Sequence, residues 1–109
     1  MIIGVAGPYS APTAAERQAN LDAMNRAAAA LLQMGHIPII GMNAALPVAD
    51  KVTFATDAQR YKAIMDISMT VIDRCEAILL IAESPGANRE RDLVAAKGLP
   101  VYYSLEEIR

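Results

Sequence analysis

Apolar residues along the chain fall into short runs that alternate with helical stripes. The runs "IIGVA" (2–6), "HIPII" (36–40), "AILLIA" (77–82) and "PVYY" (100–103) have strand length. "AILLIA" is apolar on both faces, as in a buried parallel strand, and the proline in "HIPII" suits an edge or end position. Between the first two runs, Leu21, Met24, Ala28, Leu31 and Leu32 recur at helical spacing over residues 13–34 and are expected to face a sheet. Thr13-x-x-Glu16 predicts a capping box at the start of this helix, and Gly35 a left-handed stop. A second helix is expected over about 57–74 with Asp57 as N-cap, and a third over about 87–97 ending near Gly98. Residues 41–56, "GMNAALPVADKVTFAT", read as the longest irregular stretch, of a kind that is usually functional or mobile. "SLEEIR" reads as a closing helical turn. This alternation predicts an α/β protein: one flavodoxin/Rossmann-like three-layer domain over residues 1–109, with a mainly parallel sheet of four or five strands.

Composition narrows the function classes. With 109 residues, 54 % apolar and 20 % charged, the chain can bury one core. A net charge of −2 with interleaved signs, as in "NRERD", gives no attraction to nucleic acid or anionic lipid. No apolar run approaches the ~20 residues of a membrane span. "MIIGVAG" lacks a basic n-region, so no signal peptide is expected. A single cysteine, Cys75, suits a reducing cytoplasm and reads as buried packing rather than a reactive thiol. His36 is the only histidine, and no Cys/His cluster suggests a metal or other cofactor. The alanine-rich part of the first helix permits close packing, either inside the domain or against another subunit.

In open parallel sheets, ligands collect beyond the carboxyl ends of the strands. Three loops are expected there: "GPYSAPT" with Gly7, Pro8, Tyr9 and Ser10, "GMNAALPVAD" with Asn43, and "ESPGAN" with Ser84, Gly86, Ala87 and Asn88. Two combine Gly, Pro and Ser and lead into a helix N-terminus, which favours an anion or polar oxygens. Neither G-x-x-x-x-G-K-[ST] nor G-x-G-x-x-G is present, so phosphate-loop and dinucleotide readings fall away. Glu90 follows the third loop at the expected mouth of the pocket, where the positive helix end should keep it ionised. Two readings are open. It is a dipole-complementing acid, which spacing alone favours, or a positioned carboxylate suited to attack at a sugar's anomeric carbon.

Four stretches, "IIGVAGPYS", "NLDAMNRAAAALLQMGH", "RCEAILLIAESPGANRE" and "AAKGLPVYY", resemble the nucleoside 2-deoxyribosyltransferase-like superfamily, especially its small DUF4406-type members. The resemblance covers most of the chain except residues 41–60, and S-x-G-A-x-x-E, running from Ser84 to Glu90, is its most specific element. It implies N-glycosidic chemistry related to that of 2'-deoxynucleoside 5'-phosphate N-hydrolases. Glu90 would be the nucleophile attacking C1′, with Tyr9 orienting it or the sugar. Ser84, with the Gly86–Ala87–Asn88 backbone and Ser10, would hold the 5′ end, and Asn43 the base. A neutral serine at 84, where transferases of the family often carry Asp, points to a nucleoside 5′-monophosphate.

Two positions depart from the family pattern. Ser68 stands where family members usually carry an Asp on the second helix, and Gly4 where the hydrolase branch has a strand-one tyrosine. Asp66 is the nearest acid and is assigned as proton donor, although two helical positions turn it by about 200°; Ser68 is counted with the substrate-binding residues. The resemblance thus implies cleavage of a (deoxy)nucleoside monophosphate by hydrolysis or base transfer in a homodimer or larger homo-oligomer. The alternative is a nucleotide-binding or sensing module of the same fold without turnover.

Overall fold

Strand β1 (Ile2–Ala6) occupies the middle of the sheet because both of its faces are apolar or small enough to be covered. The computed structural model describes all residues from Met1 to Arg109. After β1 come α1 (Ala14–Gln33), β2 (Ile37–Ile39), α2 (Gly41–Ala49), α3 (Asp57–Ile72), β3 (Ala77–Leu80), α4 (Pro85–Ala95) and β4 (Val101–Tyr102). A short 3-10 turn over Leu105–Glu107 closes the chain. The four strands are all parallel in the order β2-β1-β3-β4, which is a doubly wound, Rossmann-like arrangement. Strand β2 lies at an edge, where Pro38 is tolerated.

Alternation along the strands divides the core in two. Ile3, Val5, Ala77 and Leu79 pack with Met24, Ala28 and Leu31 of α1, while Ala6, Ile78 and Leu80 pack with Ile72, Ala87 and Val94 from α3 and α4. Each large side chain buried here contributes about 1.5–3 kcal/mol. Helices on both faces make three layers, and Cys75 is buried in the second cluster. No helix is long and apolar enough to cross a membrane.

Several boundaries differ from the sequence reading. Leu32 is 59 % exposed, because Leu31 takes the sheet-facing position and its neighbour lies about 100° round the helix. Thr13 caps α1 by accepting from the Glu16 N–H (3.1 Å), but the Glu16 carboxylate makes no return bond. Gly35, at φ 92°, supplies the left-handed stop.

The stretch expected to be irregular contains α2. Gly41, Ala45 and Ala49 are its buried positions, four residues apart, so the helical period was present but carried by the smallest side chains. Pro47 lies on the exposed side. Thr56, not Asp57, caps α3 by accepting from the Gln59 N–H (3.1 Å). Helix α4 begins at Pro85, whose fixed φ suits the first helical position, and Ser84 is its N-cap. The apolar run "AILLIA" is strand only to Leu80.

Candidate functional site

The chain leaves β1 toward β2 across one face of the sheet and reaches β3 across the other. A cleft therefore opens beyond the carboxyl ends of β1 and β3. It holds a cavity of about 260 Å³. The β1 loop contributes Gly7, Pro8, Tyr9 and Ser10; the β3 loop and start of α4 contribute Ser84, Pro85, Gly86, Ala87 and Glu90. All of these but Pro85 are among the twelve residues the sequence placed at the site, so eight of the twelve line the cavity.

The loop carrying Tyr9 is tied down from α1: Asn20 Nδ2 donates to the Tyr9 carbonyl (3.0 Å), and Arg17 Nη1 donates to the Ala11 carbonyl (2.9 Å). Gly7 packs so tightly that an added Cβ would lie 2.7 Å from Ile81 Cγ1.

Glu90 sits differently from expectation. It is the sixth residue of α4, beyond the first turn, so the helix N-terminus does little to hold it charged. Its side chain lies at the floor of the cavity, not at the rim, and only 5 % of the residue is exposed. Burial pushes its carboxyl up to about 7, opposed by one hydrogen bond from Ser68. That bond, Ser68 Oγ to Glu90 Oε1, is 2.7 Å long and buried. The other oxygen, Oε2, accepts nothing from the protein and is not sealed away. The carboxyl therefore works near neutrality, as an anion above about 7 and as an acid below.

Four expected site residues, Asp66, Asn43, Asn88 and Ser68, do not line the cavity. Asp66 is on the outer side of α3, paired with Lys62 (2.7 Å) in solvent, so it cannot give a proton to anything in the cavity. Asn43 lies in α2 rather than a loop, and its Nδ2 donates to Asn25 Oδ1 (2.8 Å), which fastens α2 to α1. Asn88 does not line the cavity; its Oδ1 is buried without a donor. Ser68, fully buried, stands behind Glu90 instead of touching the open space. Gly4 has no room for the tyrosine of the resembled hydrolases: even a Cβ would lie 2.8 Å from Ile72 Cδ1.

Ser84 both lines the cavity and caps α4, accepting from the Ala87 N–H (3.1 Å). The Asn88 N–H goes to the Ser84 carbonyl (2.8 Å) and Pro85 has none, so the cap leaves the Gly86 N–H as the donor available to a ligand. Cation charge lies farther out. A second cleft, sharing Tyr9, Ser10, Tyr61 and Ile64 with the first, is lined by Arg17, Arg60 and Asp57. Arg60 is paired with Asp50 (2.7 Å), whereas Arg17 bonds only to a carbonyl and forms no ion pair.

Sequence reasoning missed the apolar wall. Met24, Met42 and Met65 line the cavity with Ile40, Ile64 and Tyr61, and the Tyr61 hydroxyl accepts from Arg89 Nη1 (3.1 Å). A signal existed: Tyr61, Ile64, Met65 and Ser68 are spaced i, i+3, i+4, i+7, one face of α3. An apolar box with one carboxyl and two phenols on its walls suits a flat, uncharged ring held beside a polar reacting bond.

No curated protein matches the chain. Residues 1–106 match the family model described as Domain of unknown function (DUF1937). Spanning nearly the whole domain, that match makes the chain a member of the DUF1937 family.

Proposed function

We propose that the protein cleaves the N-glycosidic bond of a (deoxy)nucleoside 5′-monophosphate, with Glu90 as the reacting carboxylate. The observation that carries this reading is the Glu90 side chain itself: buried, lining the cavity together with Tyr9, one oxygen held by Ser68 and the other without a protein partner. The similarity of "SPGANRE" to the S-x-G-A-x-x-E element of deoxyribosyltransferase-like proteins supports the same role.

In the first step Glu90 Oε2 bonds to C1′ and the C1′–N bond breaks. The electron pair stays on the base nitrogen, which takes a proton from water. The hydroxide left by that proton transfer then attacks C1′ of the glycosyl ester and releases the sugar phosphate and the Glu90 carboxylate; attack by a second base, which gives its N–H proton to the hydroxide, instead gives transfer. The methionine-lined wall receives the base, and Tyr9 orients the sugar or Glu90. The cavity holds no cation, so the 5′-phosphate extends past Ser10 toward Arg17. Exposed Leu32, Met34 and Ile37 favour association into a homodimer or larger assembly, which light scattering at micromolar concentration checks.

The test is incubation with a panel of nucleoside monophosphates and an assay for free base. Release by the wild-type protein and its loss in Glu90→Gln are expected; no release from any member, or full activity in Glu90→Gln, overturns the assignment. A second reading, a nucleotide-binding or sensing module, is favoured by one observation: Asp66 points to solvent and the cavity offers no second acid to protonate a departing base. Calorimetric binding of an intact nucleotide without product after prolonged incubation selects that reading.

A further inference from the structure

Helices α2 and α3 meet at an unusually close point directly behind the carboxyl group of Glu90. The contact is between Gly41, the first residue of α2, and Ser68 of α3. Gly41 presents only a Cα there, because a Cβ would overlap Ser68 Oγ and lie 3.0 Å from the Ser68 Cα. Ser68 is fully buried and its hydroxyl makes one hydrogen bond, to Glu90 Oε1.

We infer that Ser68, seated against Gly41, is the positioning residue of the site: it fixes Oε1 of Glu90 so that Oε2 is the oxygen presented to the ligand. This deepens the reading above, in which Glu90 is the reacting group. Three points carry it. A side chain as short as serine has its hydroxyl direction set by one rotamer, and the missing Cβ of Gly41 is what leaves room for it, since a Cβ would overlap Oγ. A hydroxyl donating to a buried carboxylate is a charge-assisted bond, stronger than a neutral one, so it holds the acid's orientation as well as its charge. Finally, Ser68 does not line the cavity, so its influence passes through Glu90 alone.

The bond also favours the ionised form, against the burial that disfavours it. The other titratable groups around Glu90 are few. Cys75, from the turn between α3 and β3, is itself raised by burial and by the Glu90 charge. Tyr9 from the β1 loop and Tyr61 from α3 line the same cavity; Arg89 and Arg91, on α4 itself, are engaged by Tyr61 and by Glu83 and Asp92. No lysine or arginine lines the cavity to substitute for the serine.

The test is direct titration of the Glu90 carboxyl by 13C NMR, assigned by its disappearance in Glu90→Gln. In Ser68→Ala the midpoint should rise by roughly one pH unit, a tenfold weaker acid. Ser68→Cys, a poorer donor of similar size, should move it the same way by less, and stands in if the alanine variant does not fold. The acid limb of kcat should move with the midpoint while KM for the monophosphate stays within a factor of about two, since a purely structural loss shifts neither limb. An unchanged midpoint in both variants overturns the inference. If the wild-type protein releases no base from any nucleotide, the proposed reaction fails while the titration still decides the role of Ser68.

Discussion

Gly41 and Ser68 touch where α2 and α3 cross, and the contact tolerates no side chain on the glycine, since a Cβ would displace both the hydroxyl and the backbone behind it. Gly41→Ala therefore forces either helix apart from the other. The expected cost is about 1–3 kcal/mol, the usual range for an extra methyl in a packed core. Urea denaturation reads this as a lower midpoint at unchanged slope. A midpoint within error of wild type would mean that the helices separate freely and that Ser68 is not held from behind.

Gly4 shows the same constraint on the sheet. A Cβ there would lie 2.8 Å from Ile72 Cδ1, the flexible tip of a side chain, and 3.4 Å from Cys75 Sγ. Gly4→Ala should fold with a modest loss of stability as Ile72 shifts, whereas Gly4→Tyr, which installs the ring found in the resembled hydrolases, should accumulate only as insoluble protein. Soluble, cooperatively unfolding Gly4→Tyr would show that the layer between β1 and α3 can open.

Which of these features the sequence reveals depends on which residues carry a periodic or chemical signal. Strand β3 and the inward stripe of α1 were readable because Leu, Ile and Met mark their faces strongly. Helix α2 was not: its buried positions are Gly41, Ala45 and Ala49, and Pro47 argues against a helix. Turn chemistry and resemblance single out the Gly-Pro loop and the stretch from Ser84 to Glu90, and these line one cavity. Glu90 was found with the wrong environment, because its place along α4 suggested solvent while the crossing of α2 over α3 shuts it in. In the sequence Ser68 stands out only as a departure from the resembled pattern, because its bond to Glu90 spans 22 residues and is made by packing alone.

Arg17 is the cation without an ion pair in the outer cleft, which shares Ser10 with the inner one. If the ligand carries a 5′-phosphate, Arg17→Ala should raise KM for the monophosphate roughly tenfold, the loss of one charge-assisted contact of about 1.4 kcal/mol. The corresponding nucleoside, lacking the phosphate, should be handled equally by both proteins. Equal KM changes for the two would move the phosphate elsewhere, to the Gly86 N–H.

The buried carboxyl of Glu90 also ties stability to pH in a definite direction. Its pKa in the folded protein is about 7 against 4.5 for an ordinary glutamate, so between these values the folded state holds a proton that the unfolded chain has released. Stability contributed by this group is present in full below 4.5, falls as pH rises to about 7, and is level beyond. A shift of this size corresponds to about 3 kcal/mol lost between mildly acid and mildly alkaline solution. Glu90→Gln keeps an oxygen for Ser68 and cannot ionise. The variant should match wild type near pH 4.5, where the wild-type acid is already neutral when folded, and exceed it by up to about 3 kcal/mol at pH 8. Denaturant titrations at the two pH values measure the difference. Equal stability of the two proteins at pH 8 would mean that the charged carboxylate is hydrated through Oε2, and that the cavity admits water down to its floor.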